Sequence, residues 1–389
     1  MIVAPLGGRP EDAVRVALLS HGWEGDLARS TADSVETLAF HLTGLDPAIL
    51  ESLVTTGTRL GLDVISGEDW AVVAGPRARL SALARPWTSP EPLVELATLL
   101  GHALPAEDPL RWETARGAVM LDRPVIVGIV NITPDSFSDG GLLSGREDAL
   151  GHAARLVEAG ATVLDVGGES TRPGARPVGA AVERQRVIPV ITELAKRLPA
   201  IPLSVDTVKA EVAEAALDAG ASIVNDVTGL RLDPAMGKLC AERGAGLVVM
   251  HSRGGVADMA SLTHADYPEG VLPAVLAGLA EALERARSGG VQSERLVVDP
   301  GLGFGKTPEQ NVELLRGLGA LRALGRPVLV GPSRKRFLGE LTGRPVGERD
   351  RATAIACALA WEAGARLFRV HEPGETRDAL AVAAAVRPR

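Results

Sequence analysis

The stretch PLSVDTVKAEVAEAALDAGASIVN, residues 202–225, contains one complete strand–helix–strand pattern and decides the fold class. A short apolar run at 202–205 is followed by an Ala- and Glu-rich segment at 209–219 with helical spacing, and then by a second apolar run at 222–224. Apolar runs that alternate with helices are typical of buried parallel strands. The stretch therefore predicts a β-α-β unit.

The same pattern continues along the chain from residue 125. The apolar runs lie at 125–130, 162–166, 202–205, 222–224, 246–250, 296–298, 327–330 and 367–370. Helices are expected at 148–158, 182–197, 209–219, 233–243, 272–287, 308–324 and 376–386. Eight strands alternating with helices predict a closed (β/α)8 TIM barrel, with an open doubly wound sheet as the alternative.

Polar residues at the strand ends favour the barrel over the open sheet. They are Asn131, Asp165, Asp206, Asn225, His251, Asp299, Ser333 and His371. Barrel enzymes place their chemistry on the rim formed by the carboxyl ends of all the strands, whereas an open sheet concentrates it at one switch point. The distribution over every strand therefore predicts a barrel with a site at its mouth.

Residues 1–108 have a different pattern, which predicts a small α+β domain before a barrel at 109–389. Strands are expected at 14–19, 62–65 and 70–74, with a hairpin turn at 66–69 between the last two. Helices are expected at 32–42, 47–60, 77–83 and 92–100. Pro105, Asp108 and Pro109 mark the expected linker. The sequence assigns no role to this domain.

Composition excludes several classes of function. The formal net charge of −8 disfavours a nucleic-acid partner, which usually requires a basic face. The two cysteines, Cys240 and Cys357, suggest buried core thiols rather than disulfides. No apolar run approaches the roughly 18 residues that span a bilayer, and the first residues lack the pattern of a signal peptide. A cytoplasmic enzyme without membrane contact is expected.

Two polar, Gly-rich segments follow the first two strands. NITPDSFSDGG at 131–141 begins with Asn131, whose neutral oxygen suits a hard cation such as Mg²⁺. GGESTRPG at 167–174 supplies the hydroxyl of Thr171 and the guanidinium of Arg172, whose planar fork suits diphosphate oxygens. Each segment taken alone also fits a solvated loop.

Further along, acidic and amide groups lie at the ends of three strands. Asp206 lies in SVDT, Asn225 follows the next run, and Asp299 begins DPGLGFGK. A carboxylate accepts two parallel N–H donors of a flat heterocycle, and an amide both donates and accepts. Charged groups in an apolar barrel mouth are costly unless a ligand or cation meets them. Asp206 has the alternative of capping the following helix.

Basic groups lie at the ends of the last two strands. GPSRK at 331–335 runs into a helix start, where backbone N–H groups favour an anion and Lys335 offers a compact cation. In RVH at 369–371, Arg369 and His371 are two apart and face the same side of the strand. This pair has the chemistry of an anion clamp.

Taken together, the segments NITPDSFSDGG, GGESTRPG, SVDT, DPGLGFGK, GPSRK and RVH resemble the dihydropteroate synthase family over about residues 110–386. The resemblance implies a TIM-barrel transferase of folate biosynthesis that is often a homodimer. Its reaction would join a dihydropterin methyl diphosphate to 4-aminobenzoate and release pyrophosphate. Sulfonamides would compete with 4-aminobenzoate. The segment that begins at His251 departs from the family pattern, in which a second Met commonly follows the His.

The resemblance also implies a role for each site residue. Asn131 would hold Mg²⁺. Asp206, Asn225, Met250, Asp299 and Lys335 would line the pterin pocket. Arg369 and His371 would bind the diphosphate, and four residues would shape the 4-aminobenzoate side: Thr171, Arg172, Phe304 and Ser333. Lys335, Arg369, His371 and Asp206 are the expected catalytic groups.

The expected mechanism follows from the leaving group. Departure of pyrophosphate leaves a cation delocalised into the pterin, which the neutral arylamine attacks without an enzyme nucleophile. Loops at 132–141 and 167–179 would exclude water. Two alternatives remain: a pterin-dependent methyltransferase, which needs no diphosphate clamp, and a non-catalytic pterin-binding paralogue.

Overall fold

The computed structural model describes residues 37–104, 111–132, 141–170 and 177–386. The chain divides into two compact units between Pro105 and Ala106. The expected strand at 14–19 and the expected linker residues, Pro105, Asp108 and Pro109, lie outside the described residues.

The first unit is a three-stranded antiparallel sheet with helices packed on one side. Its strands are β1 (Thr37–Thr43), β2 (Asp63–Ser66) and β3 (Trp70–Pro76), in the order β1-β3-β2. Its helices are α1 (Pro47–Leu60), α2 (Arg77–Leu83) and α3 (Val94–Ala103), with short 3-10 turns at Pro86–Thr88 and Glu91–Leu93. The predicted turn between β2 and β3 is confirmed, since the amide of Gly67 donates to the carbonyl of Trp70 at 2.9 Å.

The helix expected at 32–42 is wrong over its described part. Residues Thr37–Thr43 form β1, which pairs with β3 over seven residues. Leu38, Phe40 and Leu42 alternate along β1 and pack on the small core of this unit. The Ala- and Leu-rich composition suggested a helix, but pairing with a neighbouring strand and burial of alternate side chains outweigh weak local propensity.

The second unit is the predicted barrel. Its strands are β6 (Val125–Asn131), β7 (Val163–Gly167), β8 (Leu203–Asp206), β9 (Ile223–Asp226), β10 (Gly246–Met250), β11 (Leu296–Asp299), β12 (Leu329–Val330) and β13 (Leu367–Val370). Adjacent strands are parallel, in the order β11-β10-β9-β8-β7-β6-β13-β12. A parallel bridge between Val298 and Val328 joins β11 to β12 and closes the ring. The open-sheet alternative is therefore excluded.

Helices surround the ring. They are α4 (Gly141–Glu158), α5 (Ala180–Arg197), α6 (Ala210–Ala219), α7 (Ala235–Arg243), α8 (Val271–Ser288), α9 (Pro308–Arg316), α10 (Arg336–Thr342), α11 (Asp350–Glu362) and α12 (Pro373–Val386). The single helix expected at 308–324 is instead α9 followed by a 3-10 segment at Leu318–Leu324. Gly317 separates the two, and a glycine inside a helix costs about 1 kcal/mol.

A two-stranded hairpin covers the amino-terminal end of the barrel. It consists of β4 (Arg111–Thr114) and β5 (Gly117–Met120). Trp112 and Val119 from the hairpin join the apolar layer inside the strands, and the indole N–H of Trp112 donates to the carbonyl of Arg295 at 2.8 Å. The interior is thus packed with side chains at this end, and polar chemistry is left to the opposite rim.

Candidate active site

A cavity of about 600 Å³ opens at the carboxyl ends of the strands. Ten of the twelve predicted site residues line it: Asn131, Asp206, Asn225, Met250, Asp299, Phe304, Ser333, Lys335, Arg369 and His371. The other two, Thr171 and Arg172, lie outside the described residues. Acidic and basic groups thus share one barrel mouth, as the barrel topology requires of inward-facing residues at the strand ends.

One wall of the cavity is a hydrogen-bonded network of side chains from four strands. The guanidinium of Arg369 donates from Nε to Asp165 Oδ2 at 2.6 Å and from Nη2 to Asp206 Oδ2 at 2.7 Å. Asn225 Nδ2 donates to the same Asp165 oxygen at 3.0 Å. Because its nitrogen donates to Asp165, the side-chain oxygen of Asn225 points away from Asp165 and can act as an acceptor.

The charges of this wall are mutually dependent. Burial raises the pKa of Asp206 to about 7, while the nearby Arg369 opposes the rise. Burial works against the guanidinium of Arg369, but the carboxylates of Asp165 and Asp206 raise its pKa above the ordinary value. The alternative of Asp206 as a helix cap is wrong, because the carboxylate contacts Arg369 and Lys209 occupies the cap position of α6.

Asp299 lies at the end of β11, where it pairs with Met250 of β10. Its Oδ1 accepts the backbone N–H of Gly301 at 2.7 Å. Burial raises the pKa of Asp299 to about 6, and the Gly301 hydrogen bond lowers it. The carboxyl group is therefore a fixed acceptor at the cavity floor that changes charge just below neutral pH.

Lys335 extends into the cavity from the turn before α10. Its Nζ lies 4.0 Å from the centre of the Phe304 ring, a cation–π contact. Burial lowers the pKa of Lys335 to about 8, and Arg369 lowers it further. The turn itself is held by Arg334, which has a positive φ of 56° and a two-pronged ion pair with Asp350, at 2.8 Å for each contact.

Ser333 and His371 are joined by two hydrogen bonds. The Ser333 Oγ accepts the backbone N–H of His371 at 3.1 Å, and it lies 3.0 Å from His371 Nδ1. Both side chains line the cavity together with Arg369. The strand alternation that predicted Arg369 and His371 on one side of β13 therefore agrees with their positions.

At the mouth beside β6 and β7, oxygen atoms converge around a glycine. A Cβ atom built on Gly167 would lie 3.7 Å from Asp206 Oδ2 and 3.8 Å from Asn131 Oδ1. Glycine thus leaves a small oxygen-lined space. Nearby, Lys209 Nζ bridges Glu169 Oε2 at 2.9 Å and the buried Glu183 Oε2 at 2.5 Å.

Two buried groups at this rim received no role from the sequence. Asp165 is 1% exposed and connects Arg369 to Asn225, although the sequence marked it only as a strand-end residue. Lys306 is 3% exposed, and burial lowers its pKa to about 7 while Asp299 opposes the shift. The sequence did contain a signal for Lys306: it ends the motif DPGLGFGK, and lysine is rare in this Arg-rich chain.

Met250 precedes the segment that departs from the family pattern, and His251 begins it. Met250 lines the cavity and packs in a cluster with Phe304, Val208, Val227 and Met259. His251 points instead into the protein, where burial and the charge of Lys306 lower its pKa to about 2. His251 is therefore a neutral structural residue in the described part of the rim.

Comparison with known proteins identifies close relatives of the barrel. A sequence profile of the family described as pterin binding enzyme matches residues 127–371. The dihydropteroate synthase of Mycobacterium leprae is 46% identical over 272 residues, which cover 67% of this chain and 92% of the relative. That of Synechocystis is 43% identical over 251 residues, covering 64% of this chain and 86% of the relative.

Solved structures agree with these relatives. The Xanthomonas albilineans dihydropteroate synthase with 4-aminobenzoic acid has a TM-score of 0.67 and 46% identity, covering 72% of this chain and 99% of the other. The same enzyme in complex with 7,8-dihydropteroate has a TM-score of 0.64 and 43% identity, with the same coverage. A Yersinia pestis enzyme with a sulfonamide drug complex has a TM-score of 0.66 and 37% identity.

Proposed function

This chain belongs to the dihydropteroate synthase family, and on that premise we propose a role for each group in its cavity. The chain is a transferase of folate biosynthesis. It condenses (7,8-dihydropterin-6-yl)methyl diphosphate with 4-aminobenzoate and releases pyrophosphate. The roles below are assigned from the charge, hydrogen-bonding capacity and position of each side chain.

The pterin half of the cavity uses acceptors fixed on strands. Asp299 accepts the parallel N–H donors of the aminopyrimidinone edge, and the outward oxygen of Asn225 accepts a ring N–H. Met250 packs against the ring face. Lys335 donates to a ring acceptor, and the carboxylates of Asp206 and Asp299 stabilise positive charge on the ring. This arrangement also satisfies carboxylates that burial otherwise disfavours.

The diphosphate half uses Arg369 and His371. Arg369 has five N–H donors, of which Nε and one Nη2 donor serve Asp165 and Asp206. The remaining donors are available to phosphate oxygens. As the carbon–oxygen bond breaks, its electron pair leaves with pyrophosphate, and Arg369 and His371 stabilise the charge that develops there. Arg172 is the further candidate for this clamp, although it lies outside the described residues.

Asn131 is the proposed Mg²⁺ ligand. Mg²⁺ is usually held by one or two protein oxygens together with water and substrate phosphates, so a cage of carboxylates is not required. The position beside Gly167 is bordered by Asn131 Oδ1 and by Asp206 Oδ2, which also accepts from Arg369, so Asn131 supplies the protein oxygen of such a partial ligand set. When bound, the ion would supply positive charge to the diphosphate. Asn131 would orient the diphosphate toward the cavity mouth.

The second substrate approaches from the side of Phe304 and Ser333. Phe304 offers an apolar ring to the arylamine, and Ser333 offers a donor to its carboxylate. Thr171 and Arg172 are assigned to the same half. The amine lone pair attacks the methylene carbon and forms the nitrogen–carbon bond, and the positively charged nitrogen then loses a proton to solvent. A neutral arylamine is already nucleophilic at pH 7, so no general base is required. Sulfonamides are expected to compete for this half.

The single observation that carries the assignment is the convergence of Asp299, Asp206 and Arg369 on one cavity. A methyltransferase would need the acidic acceptors but not the Arg369 clamp. The direct test is incubation of the protein with the pterin diphosphate, 4-aminobenzoate and Mg²⁺, with detection of dihydropteroate and pyrophosphate. Binding of the pterin without release of pyrophosphate would contradict the proposal and support the non-catalytic paralogue.

Pairing of two copies through α11 and α12 is also proposed. Ile355 and Leu359 on α11 are 57% and 63% exposed, and Val382 and Val386 on α12 are 66% and 74% exposed. Exposed apolar side chains concentrated on adjacent helices are typical of interfaces. Light scattering should give the mass of a dimer, and Leu359→Glu should lower it to that of a monomer. A wild-type monomer at micromolar concentration would contradict this proposal.

Placement in the cytoplasm is proposed from the substrates, which are metabolites rather than secreted ligands. Among the described helices, none combines the length and apolar composition needed to cross a bilayer. Fractionation of the source cells would test the placement.

A further inference from the structure

Lys306 borders the cavity, but its side chain is only 3% exposed and its ammonium is hydrogen-bonded to neutral acceptors. Its Nζ donates to the carbonyl oxygens of Phe304 at 2.9 Å and Gly301 at 3.0 Å. The same Nζ lies 3.2 Å from His251 Nδ1 and 3.5 Å from the His251 carbonyl oxygen. Within the described residues these partners are uncharged. A buried ammonium whose hydrogen-bond partners are all neutral is costly, and the nearby charge of Asp299 offsets part of that cost without contacting the ammonium as a hydrogen-bond partner.

These contacts tie together two loops of the rim. One loop follows β10 at His251, and the other follows β11 and contains Gly301, Gly303 and Gly305, which have φ values of 69°, 76° and 55°. A Cβ atom on Gly301 would collide with the His251 carbonyl, so the loops pack backbone against backbone. Glycines at positive φ make the second loop intrinsically adaptable. The Lys306 ammonium offsets that freedom by drawing carbonyl oxygens of both loops to one point.

The tied loop forms the part of the cavity wall that holds Lys335. A Cβ atom on Gly303 would lie only 2.7 Å from Lys335 Cδ, so the glycine allows the lysine stem to lie against the backbone. The next residue, Phe304, places its ring 4.0 Å from Lys335 Nζ. Asn311 Oδ1 adds a second brace by accepting the Gly303 N–H at 2.6 Å. Displacement of the loop would therefore move the Phe304 ring, whereas the backbone of Lys335 stays on the turn that the Arg334–Asp350 ion pair holds.

We propose that Lys306 is a positioning residue for 4-aminobenzoate, acting through the backbone of residues 301–304 rather than by touching substrate. The proposal rests on the role assigned above to Phe304. It makes a distinction between the two substrates. The backbone of Asp299, which faces the pterin, is held by the sheet through its pairing with Met250, and its side chain shares one hydrogen bond with the loop, whereas Phe304 lies on the loop itself. Loss of the tether should therefore affect recognition of 4-aminobenzoate more than recognition of the pterin.

The test is steady-state kinetics of Lys306→Met, which keeps the length and bulk of the side chain but removes its charge and donors. The KM for 4-aminobenzoate is expected to rise at least about tenfold, as expected for lost charge-assisted hydrogen bonds, and the KM for the pterin diphosphate to stay within about threefold. Lys238→Met is the matched control, because Lys238 lies on α7 with a side chain that is 75% exposed. Its two KM values should match those of the wild type.

Lys306→Gln provides a second variant, since its amide keeps two neutral N–H donors. It should have a KM for 4-aminobenzoate between those of the wild type and Lys306→Met. An unchanged KM in both variants, or equal increases for both substrates, would overturn the proposal. Failure of both variants to fold, measured by thermal melting, would overturn it too, because the ammonium would then be a stability element of the barrel. A wild type without turnover would instead contradict the proposed function itself.

Discussion

The two halves of the cavity are built differently. The residues that face the pterin, Asp206, Asn225 and Asp299, lie on β8, β9 and β11, where the parallel ladder fixes the backbone. The residues assigned to 4-aminobenzoate, Phe304 and Ser333, lie on loops that are held by individual side chains. The pterin half is therefore preorganised by the barrel itself, whereas the 4-aminobenzoate half depends on separate side-chain contacts.

The largest effect should come from the strand-borne half. Asp299→Ala removes the acceptor for the paired ring donors, so binding of the pterin diphosphate should weaken at least about 100-fold and become undetectable in practice. Calorimetric titration would measure the change. Asp218→Ala is the matched control, because that carboxylate is exposed on α6. An unchanged dissociation constant for Asp299→Ala would refute the pocket assignment.

Arg369 connects the acidic network to the diphosphate, and its substitution should have the next largest effect. Arg369→Lys keeps the charge but cannot serve Asp165, Asp206 and a phosphate oxygen with one planar group. The rate of pyrophosphate release in a single turnover should fall by about 10²–10³. A rate within a few-fold of the wild type would mean that charge alone suffices and that the fork geometry is unimportant.

The pH dependence of pterin binding tests the role of Asp299 in the pterin half, and its expected effect is smaller than those of the two substitutions above. Asp299 has its pKa raised to about 6 by burial, so it is charged above that pH and protonated below it. Protonation removes an acceptor, and the affinity for the pterin should therefore fall about tenfold per pH unit below 6. In Asp299→Asn the part of this dependence that belongs to Asp299 should be absent. Identical profiles for the two proteins would assign the titration to another group.

The smallest effect should come from the region outside both halves. Deletion of residues 1–108 should leave the turnover number within about threefold of the full chain, since the cavity lining belongs to the second unit. The match with the Xanthomonas albilineans enzyme covers 99% of that chain but only 72% of this one. A barrel that forms nearly the whole of another protein supports a barrel that folds without the first unit. Loss of turnover together with a changed mass in solution would instead give the first unit a role in assembly.

Much of the barrel could be predicted from the sequence because buried parallel strands are continuous apolar runs. The runs at 246–250 and 367–370 coincide with β10 and β13. Other elements are too short or too mixed for such a pattern. The hairpin of β4 and β5 has four residues per strand, and only its position against the barrel interior explains Trp112 and Val119. β1 is an Ala- and Leu-containing strand whose structure depends on β3, a contact that no local pattern contains.

For the site, the sequence predicted the chemical groups but not the connections among them. Strand ends and motifs placed ten residues on the cavity wall. The partners of those residues depend on three-dimensional distances across the ring: Asp165 and Arg369 are 204 positions apart in the chain. Lys306 illustrates the same limit, because its carbonyl partners are backbone atoms, which leave no signature in the identity of a residue.

The shared oxygen of Asp165 has a consequence for how the two ends of the first substrate are recognised. One atom accepts from both Asn225 and Arg369, so any change in the position of the guanidinium alters the partner of the amide. Thermodynamic linkage then requires reciprocity: inorganic pyrophosphate should change the affinity for a pterin that lacks a diphosphate, and that pterin should change the affinity for pyrophosphate by the same factor. The barrel mouth would thus behave as a cooperative unit before any bond is broken.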